Sequence, residues 1–66
     1  MQLQINGQPR ELPDGLTVAA LLTLLQIKAL RVAVEVNARV VVKSRHGETA
    51  LKPGDQVEIV TFVGGG

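Results

Sequence analysis

The sequence predicts an α+β domain: one mixed sheet of about five strands packed on one main helix. Three observations carry this. Apolar and polar residues alternate at period two through several short runs rich in Val and Ile, the signature of half-buried strands. Only one stretch, beginning at Val18, repeats its apolar residues at helical spacing. That helix comes early and strands follow it, whereas strands and helices alternating throughout would give a doubly wound fold. A strand that follows the helix and lies beside a parallel partner also satisfies the right-handed crossover preference.

In the first element, Met1 to Asn6, Leu3 and Ile5 share one face while Gln2 and Gln4 share the other. Asn6-Gly7 tolerates the positive φ of a two-residue hairpin turn, so a second strand through about Arg10 to Leu12 should return antiparallel, with Pro9 confining it to an edge. Pro13-Asp14-Gly15 breaks the chain. Thr17 then stands as N-cap before a helix of about 9 to 12 residues, whose Val18, Leu21, Leu22 and Leu25 fall at i, i+3, i+4 and i+7. Next, Val32, Val34 and Val36 alternate against Arg31, Ala33 and Glu35, and a turn at Asn37-Ala38 leads into another strand. Ala38 suits a two-residue turn poorly, which points to a longer loop or another turn type. Ser44 to Leu51 is polar and has no clear period. Lys52-Pro53-Gly54-Asp55 is placed for a type II turn before a final strand, Val57 to Val63.

At 66 residues the chain is one domain, and a domain of this size buries only about 60% of its unfolded surface. With no cysteine and a single histidine, neither a disulfide nor a metal staple is available. The core is therefore aliphatic, in keeping with an apolar fraction of 45% in which Phe62 is the one aromatic. The net charge is +1, and Arg10, Lys28, Arg31, Arg39, Lys43, Arg45 and Lys52 are dispersed. That distribution, with no aromatic platform, argues against nucleic-acid binding. No signal peptide opens the chain and no run approaches the ~20 apolar residues of a membrane span, so a soluble cytoplasmic protein is expected, without membrane partners.

Catalytic groups are scarce. His46 reads as a solvated loop histidine, since one imidazole without a second ligand makes no metal site. Ser44 lies two positions away, but nothing in the sequence arranges a third group to orient the base. Asp14 and Asp55 sit in Pro/Gly turns, where such side chains commonly bond the backbone, and Glu58 faces solvent from a strand. Catalytic residues are therefore none.

The chain end is different. Gly64, Gly65 and Gly66 would form a phosphate cradle only ahead of a helix, and none follows. Glycine without a Cβ can, however, enter a cleft too narrow for other side chains, and the preceding strand aims a terminal carboxylate outward. We expect a β-domain over residues 1–63 and a flexible tail over 64–66 that enters partner active sites. If Val57, Ile59 and Thr61 face the helix, then Glu58, Val60 and Phe62 share the other face, where Val60 and Phe62 read as a docking patch.

The helix segment "TVAALLTLL", the strand pair "VAVEVNARVV", the turn "KPGDQVEIV" and the end "VGGG" together resemble the ThiS family, the sulfur carriers of thiamine thiazole biosynthesis. The resemblance covers the whole chain. It implies the ubiquitin-like β-grasp fold. It also implies that Gly66 is adenylated by an ATP-dependent activating enzyme and converted to a thiocarboxylate with sulfur from a cysteine desulfurase or other donor. The sulfur then passes to thiazole synthase. In this reading the chain is a co-substrate and not an enzyme; it binds no cofactor, and ATP is consumed by the activating enzyme. Gly64 stands where the family more often has a larger residue, and Ala38 where it often has glycine. Related readings are a β-grasp carrier for molybdopterin synthesis or tRNA thiolation, a lysine-conjugated modifier, and a ubiquitin-like binding module that transfers nothing.

Overall fold

The computed structural model describes residues 1–62; Val63 and the tail expected at Gly64 to Gly66 lie outside the described residues. The strands are β1 (Gln2–Ile5), β2 (Gln8–Glu11), β3 (Val32–Val36), β4 (Arg39–Val41) and β5 (Gln56–Thr61), with one helix, α1 (Val18–Leu24). Two short 3₁₀ turns, Ala29–Arg31 and Lys43–Arg45, join them. The sheet order is β2-β1-β5-β3-β4, with β1 and β5 parallel and the remaining pairs antiparallel. This is the expected mixed five-stranded sheet on one helix, the β-grasp arrangement.

Asn6-Gly7 forms the expected tight turn, with φ of 51° and 81°. The chain re-enters the sheet immediately, so β2 begins at Gln8 instead of Arg10. Pro9 sits opposite Gln4 on the outermost strand, where its missing N–H breaks no ladder bond. Asn37-Ala38 corrects the expectation of a longer loop: both residues have positive φ, 52° and 69°, in a two-residue turn closed by Val36 and Arg39. Ala38 is thus held in a region that costs a Cβ-bearing residue about 1 kcal/mol, against the pairing of β3 with both its neighbours.

Thr17 caps α1, its hydroxyl accepting from the Ala20 N–H at 3.1 Å. The helix is shorter than the periodicity suggested. Gln26 turns left-handed at φ 60°, and the N–H groups of Gln26 and Ile27 close on the carbonyls of Thr23 and Leu22 at 3.0 and 2.9 Å. Paired closing bonds of this kind end a helix whatever the apolar pattern beyond them, and here no glycine marks the place. Val18, Leu21 and Leu22 are buried against Leu3, Ile5, Val32, Val34, Val57 and Ile59 of the sheet, with Leu12 and Leu51 completing the core.

The type II turn forms as expected, with Gly54 at φ 86° and the Asp55 N–H bonded to the Lys52 carbonyl at 3.1 Å. Asp55 is buried, and one of its oxygens accepts the Lys52 N–H at 2.8 Å. Asp14 behaves otherwise. Its carboxylate lies 2.9 Å from the Met1 amine, which also meets Glu11 at 3.1 Å and donates to the Leu12 carbonyl. The hydrogen bonds to Asp14 and then to Glu11 hold that amine above its usual pKa range.

Candidate functional site

The expected functional region is the far end of β5, so what fixes that strand decides what the region presents. β5 lies at the centre of the sheet. Its backbone pairing with β1 ends at Ile5 and Val57, yet the strand continues to Thr61. Beyond that point the Asn6 side chain substitutes for a strand: its Oδ1 accepts the Ile59 N–H at 2.7 Å and its Nδ2 donates to the Ile59 carbonyl at 3.2 Å. From the other side, Asn37 Oδ1 accepts the Gln56 N–H at 3.0 Å while its Nδ2 donates to Asp55 Oδ1 at 3.0 Å. Both hairpin turns therefore clamp β5 through a side-chain amide. Each Asn is legible in the sequence as a turn former; its second role is not.

Strand alternation then sorts the side chains. Val57 and Ile59 are buried under α1, whereas Glu58, Val60 and Phe62 are exposed, as expected, with Val60 at 55% and Phe62 at 56%. Thr61 has the parity of the helix-facing residues but is exposed. On the outer face, away from α1, the pairing aligns Val40, Glu35 and Glu58 in one row and Ala33 and Val60 in the next. Leu30, Val40 and Val42 are also more than half exposed. With Phe62 they line part of a groove of about 260 Å³. The sequence hid these residues, because the continuous run Val40-Val41-Val42 does not mark which valine faces out. The β1–β2 half of the same face presents Gln2, Gln4, Pro9 and Glu11, beside Gln56 of β5.

His46 corrects the sequence reading. It is 5% exposed, with Nε2 3.1 Å from the Val41 carbonyl oxygen. Nε2 therefore carries the proton, and Nδ1 is buried without a hydrogen-bond partner. The reason is the path of the polar loop. It turns back beneath the start of α1, where Ala19 and Val18 donate to the His46 and Thr49 carbonyls at 2.9 and 3.0 Å. Ser44, exposed in its 3₁₀ turn, shares no hydrogen bond with His46 among the described residues. No three His, Cys, Asp or Glu side chains among the described residues converge as a metal site. Among the described residues no helix is long and apolar enough to cross a membrane.

A mixed five-stranded sheet on one helix, with an exposed apolar corner at the end of its last strand, makes this a ubiquitin-like β-grasp domain. The family model of ThiS matches residues 3–66, and the chain belongs to the ThiS family. It is 40% identical over 65 residues to the sulfur carrier protein ThiS of Bacillus subtilis, covering 97% of this chain and 98% of that one. It superposes on the crystal structure of the thiamine biosynthesis protein ThiS from Geobacter metallireducens with a TM-score of 0.88 and 38% identity, covering both chains completely. A thiazole synthase of Paramagnetospirillum magneticum is 46% identical over 66 residues, all of this chain, which spans 20% of that protein's length. A second thiazole synthase, from Magnetococcus marinus, is 39% identical over the same length and is likewise spanned to 20%.

Proposed function

We propose that this chain carries sulfur for thiazole formation in thiamine biosynthesis, as a thiocarboxylate on Gly66. The observation that supports it most is the match at 40% identity to a sulfur carrier protein ThiS over nearly the full length of both chains. A carboxylate is a poor electrophile. Attack of its oxygen on the α-phosphorus of ATP, with loss of pyrophosphate, makes an acyl adenylate that a sulfur nucleophile can open. A persulfide from a cysteine desulfurase or similar donor displaces AMP, and a thiol then cleaves the resulting S–S bond to leave the thiocarboxylate. In this scheme the activating enzyme supplies the catalysis, and the carrier supplies the reacting carbonyl and the means of delivering it.

Thiazole synthase is the acceptor in this reading, supported by the two thiazole synthases whose chains contain a region like this domain. Val60 and Phe62 dock the partners, while Gly64, Gly65 and Gly66 pass into their active sites. Activation needs the reacting atoms within about 3 to 3.5 Å, which a chain one residue too short or too long does not reach. The test is incubation with the cognate activating enzyme, ATP and a sulfur donor, followed by intact mass. Deleting Gly66 or appending one residue is expected to abolish adenylate and thiocarboxylate without lowering the melting temperature. Normal thiocarboxylate yield from the chain lacking Gly66 would refute the assignment.

A further inference from the structure

Glu35 and Glu58 stand directly opposite one another on β3 and β5, on the outer face of the sheet. Their neighbours in register, Val34 with Ile59 and Val36 with Val57, point the other way, toward α1. Like charges opposed across strands are destabilising, so the pairing needs a reason outside the fold. Neither glutamate has a salt-bridge partner among the described residues. The strand register places no cation beside this pair; Arg31, whose carbonyl accepts the Phe62 N–H, and Lys43, in the wall of the groove, stand at the edge of the corner. Arg10 and Arg39 lie opposite Leu3 and Val36, on the helix side, so no Lys or Arg occupies an outward strand position although the chain carries seven. Against a net charge of +1, the centre of this face, at Glu35 and Glu58, is acidic.

Both carboxylates border the exposed apolar corner. Val40 lies opposite Glu35 on the far side from Glu58, and the Ala33–Val60 pair is two residues further along the same face. An apolar patch flanked by two unpaired carboxylates fits a partner surface of matching kind: apolar side chains for the corner and a cation for the acidic pair. We propose that the partner seated on this face inserts an arginine or lysine between Glu35 and Glu58 while its apolar residues cover Val40, Val60 and Phe62. A guanidinium would suit best, since its planar fork can donate to two carboxylates at once. The inference rests on the docking reading above and adds to it the chemistry of the partner: the surface of thiazole synthase that binds here is basic at its centre.

The test compares Glu35→Gln, Glu58→Gln and Val60→Glu with the parent chain, measuring affinity for purified thiazole synthase of the same organism across a range of salt concentrations. Melting temperatures are recorded in parallel. Each Gln variant is expected to bind about tenfold more weakly and to lose part of the salt dependence, because an interfacial charge pair has been removed. The same variants should melt at or above the parent temperature, since a repulsion has been relieved. A merely structural role for the two glutamates would move stability and affinity together. If the Gln variants bind as the parent does while Val60→Glu binds poorly, the docking face stands and the cation is refuted. If Val60→Glu also binds as the parent does, the docking reading itself fails, and this inference with it.

Discussion

The two hairpins that flank β5 use the same device to hold it and differ in nearly everything they show to solvent. Each has a two-residue turn opened by an asparagine, Asn6 or Asn37, whose amide bonds β5. In β1–β2 the turn is completed by Gly7, which adopts positive φ freely; the edge is blunted by Pro9, and the outer face is polar. In β3–β4 the turn is completed by the strained Ala38, and the outer face bears Val40 beside Glu35. The common features are what the fold requires. The differences are not, and they place the apolar corner and the acidic pair on the β3–β4–β5 half, where we assign recognition.

The largest expected effect bears on the core shared by both hairpins. Leu21→Ala and Leu22→Ala should each cost about 2 to 5 kcal/mol, a threat to so small a domain. Thermal melts unchanged at either position would contradict the packing of α1. Removing the clamps comes next. Asn6→Ala and Asn37→Ala should each cost about 2 kcal/mol in denaturant unfolding, through two lost hydrogen bonds and an unfavourable positive φ. Asn37→Ala should cost more, because it also strips a donor from the buried Asp55 carboxylate. Equal and negligible losses would mean that β5 is held by its ladders alone.

A smaller and opposite pair of changes exchanges the turn residues. Ala38→Gly should gain about 1 kcal/mol by relieving the left-handed alanine, and Gly7→Ala should lose a similar amount. Space is not at issue for the second, since a Cβ at Gly7 meets nothing within 4 Å. Changes of the same sign would show that the two turns are not equivalent. The smallest effect concerns the Met1 amine. Its pKa is raised in the folded state by Asp14 and Glu11, so its contribution is complete below about pH 8 and is lost as pH rises through the folded value. Asp14→Asn should flatten the stability profile above that pH, which melts across the alkaline range would detect.

Most of the fold is legible in the sequence, because its signals are local: alternation in β1, β3 and β5, Thr17 as cap, Asn6-Gly7 and Pro53-Gly54 as turns. The failures share a cause. Gln26 ends the helix early, and Ala38 takes a turn position made for glycine, each in a backbone conformation its own side chain does not favour. The pairing of β3 with β4 holds Ala38, and the closing bonds to Thr23 and Leu22 hold Gln26, against those preferences. The burial of His46 is illegible for a related reason, since a polar loop that folds back under a helix start is indistinguishable from a solvated one until the path of the chain is known. At the candidate site, Val60 and Phe62 were readable from the parity of one strand. Leu30, Val40, Val42 and the opposition of Glu35 to Glu58 depend on which strands are neighbours and in what register, and no local pattern records that.

The division of labour between the two halves is tested most directly by mapping where thiazole synthase touches the carrier. Cross-saturation NMR on isotopically labelled carrier, irradiating the unlabelled partner, reports contact residue by residue. The expected footprint covers Ala33, Glu35, Val40, Glu58, Val60 and Phe62 and spares Gln2, Gln4 and Glu11 on the same sheet face. A footprint centred on the β1–β2 half, or spread evenly over both, would contradict the account.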